Sequence, residues 1–195
     1  MSEKFKHWRD VATFGESKSF TCGHCGHDIS SNKGYGCDSG DVILICHQCS
    51  RPTYFQTGGK RTPGSIYGRT VEGIDDPGVA AMYEEARKAV QAGAPTASVL
   101  TCRKLLMHIA VAKGAAENEK FLFYVNYLCD KGYVPPDARG WVDLIREVGN
   151  EANHEIKIMT ETAAKELIDF SEMLLKMIFE FPATVKRKKK TAGTT

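Results

Sequence analysis

Four cysteines carry the strongest chemical signal in this chain. Cys22-Gly23-His24-Cys25 and Cys46-His47-Gln48-Cys49 are two CxxC pairs separated by twenty residues. Two residues between cysteines let one tight turn aim both thiolates at a single ion, and two such turns complete a tetrahedral shell. The spacing is that of a zinc ribbon holding a structural Zn2+. A shell closed by four thiolates leaves no open position for a substrate. Gly26 follows the first pair, where the turn needs a small residue. His24, His27, His47 and Cys37 are donors by type, but the four cysteines already fill the shell, so they are expected to be bystanders. The remaining cysteines, Cys102 and Cys129, are expected to serve as small apolar residues in helices.

A second set of chemically capable residues lies further along. With Trp141 set to zero on a helical wheel, Leu144, Ile145 and Val148 cluster within about 60° of it and define a core face. Arg146, Asn150 and His154 then fall at about 140°, 180° and 220°, one turn apart on the opposite face. A cation, an amide and an imidazole in a row would suit phosphate chemistry. A solvated polar face is the plainer reading of the same row, and a subunit interface is the sharper one. Gly149, inside this helix, costs about 1 kcal/mol relative to alanine, which close approach of another backbone would explain.

Stepping out to the elements, residues 20–56 are turn-rich, with Val42-Ile43-Leu44-Ile45 as a short strand entering the second CxxC pair. Residues 1–19 form an N-terminal segment, and the glycine-rich stretch 57–75 reads as a linker. From Asp76 the apolar residues recur at helical spacing. Asp76 as N-cap and Pro77 at the first position begin helix one, which Gly93 closes. Further helices are expected over about 96–113, 119–131, 137–153 and 160–181, the last ended by Pro182. The expected fold class is therefore mainly α: a five-helix bundle over 76–182 preceded by a small zinc-ribbon β module, with a basic disordered tail at 183–195. Arg103 falls inside the apolar stripe of the second helix, where a buried guanidinium is expected to find a carboxylate.

Composition sets limits. The chain has 195 residues, 42% of them hydrophobic and 26% charged, enough for a real core. No apolar run reaches bilayer-spanning length, and the polar N-terminus lacks a signal-peptide core, so no membrane partner and a cytoplasmic location are expected. The odd count of seven cysteines fits metal ligation better than disulfides. Net charge is +2, but Lys186, Arg187, Lys188, Lys189 and Lys190 supply five positive charges, and the remainder of the chain carries −3. Residues 76–180 hold 12 Lys and Arg against 16 Asp and Glu. The helical part is acidic, and the terminal basic run is the candidate phosphate-binding element. Trp8, Tyr54 and Phe55 are of the types that stack on bases, although packing on the metal module is the expected use.

Three segments carry a family resemblance: Tyr83-Glu84-Glu85-Ala86-Arg87, Cys102-Arg103-Lys104-Leu105-Leu106, and Ile145-Arg146-Glu147-Val148-Gly149-Asn150-Glu151-Ala152-Asn153-His154. They resemble a bacterial and phage family of unknown function found alone or attached to restriction-endonuclease components, often behind a zinc knuckle. That family in turn is similar to the HEPN helical domains, many of which are metal-independent ribonucleases with an Arg-x(4–6)-His motif at a dimer interface. The resemblance implies a HEPN-like bundle, a homodimer, and an RNA or other nucleic-acid target in phage defence or RNA metabolism. It also implies endoribonuclease chemistry with Arg146, Asn150 and His154 as catalytic residues. One departure is visible: aligned on Asn150 and His154, the arginine slot holds Gly149, and Arg146 sits one turn earlier. With the acidic bundle, that departure favours the alternative reading, a non-catalytic interaction or nucleotide-sensing module.

Overall fold

The computed structural model describes residues 8–135, 145 and 158–192, the last three by backbone only. The chain divides into two compact units, residues 1–66 and 67–195, and the division falls inside the stretch expected to be a linker.

The first unit is a five-stranded antiparallel meander in the order β1-β2-β3-β4-β5. Its strands are β1 (Ala12–Thr21), β2 (Asp28–Gly36), β3 (Val42–Ile45), β4 (Pro52–Phe55) and β5 (Arg61–Thr62). This corrects the expectation of a mainly α chain with a five-helix bundle. The sheet takes in much of the segment 1–19 and reaches into 57–75. Its longest strand, β1, escapes the sequence pattern because it is almost wholly exposed. A strand with no buried face has no reason to alternate apolar and polar residues. Register also demands one glycine: a Cβ at Gly34 would lie 1.7 Å from the Ile43 carbonyl oxygen of β3. The small core comprises Phe20, Cys22, Ile29, Leu44, Cys46 and Phe55, with Phe20 and Phe55 edge-to-face at 4.9 Å.

The second unit is helical: α1 (Pro77–Gln91), α2 (Pro95–Ala112), α3 (Phe121–Asp130) and α4 (Glu161–Leu175). α1 begins as its sequence demands, with the Asp76 carboxylate accepting from the amides of Gly78 and Val79. α2 is central, packing on α1, α3 and α4 through Val99, Cys102, Leu105, Leu106 and Ile109. Ile145 is helical and fully buried. The rest of the expected fourth helix, with Trp141, Leu144, Val148 and Gly149, lies outside the described residues.

α4 does not stop at Pro182. It runs on through a π-helical turn (Lys176–Glu180) into a final α-helical stretch (Phe181–Ala192). Proline lacks an N–H and its ring strikes the carbonyl four residues back in a continuous α-helix. The wide turn, closed by the Phe181 amide on the Lys176 carbonyl, places Pro182 in the first turn of a new α segment, where no N–H is required. The basic end expected to be a disordered tail is thus helical as far as Ala192. No helix among the described residues is long and apolar enough to cross a membrane.

Candidate metal centre

In an antiparallel meander, alternate hairpin turns fall at the same end of the sheet. The β1–β2 turn spans residues 22–27 and the β3–β4 turn spans 46–51, so each carries one CxxC pair to that shared end. The two turns have matching backbone bonds. The Cys22 amide donates to the His27 carbonyl at 2.9 Å, and the Cys46 amide to the Arg51 carbonyl at 3.0 Å. Gly26 and Ser50 each donate four residues back to the carbonyl of the first cysteine, both at 2.9 Å. Both occupy the left-handed region, with φ of +71° and +56°.

The four sulfurs of Cys22, Cys25, Cys46 and Cys49 lie within 4.8 Å of one another. Cys22 to Cys49 and Cys25 to Cys46 are each 3.8 Å. A tetrahedral ion with metal–sulfur bonds of about 2.3 Å has its sulfurs about 3.8 Å apart, so the cage fits such an ion. Cys22 and Cys46 are buried, and Cys25 and Cys49 half-buried. The amides of His24 and Gln48 point at the Cys22 and Cys46 sulfurs, each at 3.4 Å. Burial opposes charge on Cys22, but these backbone donors and the neighbouring thiols outweigh it and hold its pKa below the ordinary thiol value. Burial drives Cys49 the other way, to about 12, with the adjacent thiols adding to the rise. Cys25 is also raised, again chiefly by burial. Four cysteine sulfurs this close could hold a metal ion, and a four-sulfur donor set suits zinc or iron.

The other donors stay out of the cage. His24 Nε2 lies 3.0 Å from the Pro52 carbonyl oxygen, tying the first turn to β4. His27 Nδ1 lies 3.1 Å from the Cys25 carbonyl oxygen, and His47 lines a shallow cleft with Ser19, Thr21 and Asp28. Cys37 sits in the turn at the far end of the sheet, beside Ser39 and Asp41. Gly23 was legible only as filler within its CxxC pair, yet a Cβ there would lie 2.2 Å from the Gly64 carbonyl oxygen. Of the aromatic candidates, Trp8 donates to the Ser50 carbonyl at 2.8 Å, Phe55 is in the core, and Tyr54 donates to Asp41. All three serve the β unit's own packing.

In the helical unit, Lys186, Arg187, Lys188 and Lys189 are exposed on the terminal helix, which Lys190 continues. Arg146, Asn150 and His154 lie outside the described residues. Arg103 is buried and stacks over the Phe121 ring at 4.5 Å. Arg87 figures in the sequence only as part of the resembling segment, with no role assigned to it. It is 6% exposed, pairs with Glu84 at 2.7 Å, and donates to the carbonyls of Tyr67 and Gly68. The segment Tyr83–Arg87 therefore clamps the incoming chain to α1: Tyr83 also donates to the Arg69 carbonyl at 3.0 Å.

Neither a curated protein nor a solved structure matches the sequence. Residues 84–191 match the family described as "Domain of unknown function (DUF4145)". That span begins within the Tyr83–Arg87 clamp and ends in the basic helix, and it covers more than half of the chain. The chain therefore belongs to the DUF4145 family.

Proposed function

We propose that this chain is a zinc-binding protein whose metal is structural and whose helical unit acts on or senses nucleic acid, in phage defence or RNA metabolism. The observation that carries the metal assignment is the spacing of the four sulfurs, 3.8 Å for two of the pairs, which suits a closed tetrathiolate. Bound zinc would supply cross-linking and no catalysis, because no coordination position remains for substrate or water. Elemental analysis of the reduced protein should find one zinc per chain, and Cys46→Ser should lose it. Finding iron, or no metal, would remove the assignment.

The nucleic-acid part is supported by Lys186, Arg187, Lys188 and Lys189, exposed on a helix, and by the HEPN-like string around Arg146, Asn150 and His154. In the metal-independent chemistry such a row suits, the ribose 2′-OH attacks the adjacent phosphorus and the P–O5′ bond breaks, leaving a 2′,3′-cyclic phosphate and a free 5′-hydroxyl on the next nucleotide. His154 would transfer the proton, since an imidazole titrates near neutrality. Arg146 would stabilise the charge on the phosphorane, and Asn150 would orient His154 or a phosphate. The test is incubation of wild type, His154→Ala and Arg146→Ala with mixed single-stranded and structured RNA. Cleavage should persist in EDTA while the fold does, spare DNA, disappear in His154→Ala and fall strongly in Arg146→Ala. If wild type cuts nothing, or His154→Ala cuts equally well, the helical unit is a non-catalytic interaction or nucleotide-sensing module.

A further inference from the structure

Both 3.8 Å sulfur contacts run between the two CxxC turns: Cys22 to Cys49, and Cys25 to Cys46. Each joins a buried sulfur, Cys22 or Cys46, to a half-buried one, Cys49 or Cys25. Solvent therefore reaches one member of each pair, while the other is shielded and in contact with it. That is the arrangement of a thiol that meets an oxidant beside a thiol that resolves the product. A disulfide bond is about 2.05 Å long, so closing either pair asks about 0.9 Å of each sulfur, within reach of side-chain rotation.

The turns belong to different hairpins, β1–β2 and β3–β4. A covalent bond between them would do the cross-linking that a shared ion does. The other three cysteines lie outside this cluster. Cys37 is in the turn beside Ser39 and Asp41, Cys102 is closed off in the helical core, and Cys129 sits on α3.

We propose, resting on the reading of a zinc-loaded centre, that these four cysteines form a peroxide-responsive switch: Cys25 and Cys49 are oxidised, Cys46 and Cys22 resolve them, and one zinc is exchanged for two disulfides between the turns. With zinc bound, the sulfurs are thiolates. In each pair the half-buried thiolate attacks one oxygen of hydrogen peroxide. The O–O bond breaks, the departing hydroxide takes a proton from solvent, and the sulfur becomes a sulfenic acid. The buried thiolate of the facing turn then attacks that sulfur. The S–O bond breaks, and the hydroxide that leaves is protonated in turn. Two thiolates have lost two electrons, and one peroxide has gained them as two waters. A sulfur held in a disulfide is no longer a thiolate ligand, so two closed pairs release the ion. The product stays below the sulfinic level, so a thiol reductant and zinc restore the starting form. A chelator, by contrast, removes the ion and puts nothing in its place.

The test uses the reduced full chain, with its zinc content measured before any oxidant is added. Hydrogen peroxide is then titrated in the presence of a coloured zinc indicator. About two equivalents should release one zinc per chain and remove four thiols, out of the seven counted after denaturation. Peptide mapping should find Cys22 bonded to Cys49 and Cys25 bonded to Cys46. The strand signal in circular dichroism should persist, and a thiol reductant with zinc should reverse every change. Cys37→Ser should release zinc at the same peroxide dose as wild type, because Cys37 takes no part. Zinc that stays bound through a large excess of peroxide overturns the proposal. Bonds within a turn, Cys22 to Cys25 or Cys46 to Cys49, overturn it too, as does a strand signal lost along with the zinc. Sulfinic acid at Cys25 or Cys49 in place of a disulfide has the same force. A reduced chain that holds no zinc overturns the metal reading and this proposal with it, before peroxide is added, whereas the other failures overturn this proposal alone.

Discussion

Gly26 and Ser50 occupy equivalent places in the two CxxC turns, and only one of them suits its backbone. Left-handed φ costs a non-glycine residue roughly 1–2 kcal/mol, whereas glycine adopts it freely. A Cβ at Gly26 would meet nothing within 4 Å, so the cost there is backbone strain alone. Gly26→Ser should therefore destabilise the β unit by about 1 kcal/mol, and Ser50→Gly should stabilise it by a similar or smaller amount. Thermal melts of the zinc-loaded protein, followed in the strand signal, would show opposite shifts, and equal losses in both variants would contradict the equivalence. At this scale the sequence was readable where geometry fixes spacing. Two sulfurs aimed from one turn require CxxC, and the pattern named the four cysteines whose sulfurs cluster. It was silent on Ser50, because a serine announces no particular φ, and on Gly23, whose constraint comes from Gly64, forty-one residues away in sequence.

Elements were legible in proportion to how much of their surface is buried on one side. α1 was readable from Asp76 to its end because Val79, Tyr83, Ala86 and Val90 are buried at helical spacing. β1 was not, because exposure removes the constraint that writes alternation into a strand. The helix end was misplaced at Pro182 because proline breaks only a continuous α ladder, and the π turn before it restarts that ladder. The start of α1 also sets a pH dependence. A hydrogen bond from His108, and then those from the Val79 and Gly78 amides, hold the Asp76 carboxyl below the usual carboxylate range. A group whose folded pKa is depressed stabilises the fold above its unfolded pKa, about 4, and loses that contribution as pH falls through the folded value. Asp76→Ala should thus melt earlier than wild type at pH 7, and the difference should vanish in strong acid. A gap that survives acidification would assign the effect to packing rather than to the charged cap.

For the molecule as a whole, the two units differ in how they are held. The helical core has buried residues from α1, α2, α3 and α4, including Leu105, Leu106, Leu128, Leu167 and Leu174. The β core has six, of which Cys22 and Cys46 belong to the four-sulfur cluster. A core that small does not by itself offset the entropy of ordering some fifty residues, and bound metal commonly supplies the difference in such modules. A strong chelator should therefore collapse the strand signal and the Trp8 fluorescence while helical ellipticity persists. Simultaneous loss of both would show that the helical unit depends on the metal as well. The meander has a further consequence for how the chain tolerates being cut. Cys37–Asp41 turns the chain at the end away from the ligands, and each hairpin on either side of it owns one complete CxxC pair. A nick there would leave two fragments with two thiolates apiece. The ion would then act as a clasp between separate polypeptides, and reassembly would follow metal concentration instead of chain connectivity.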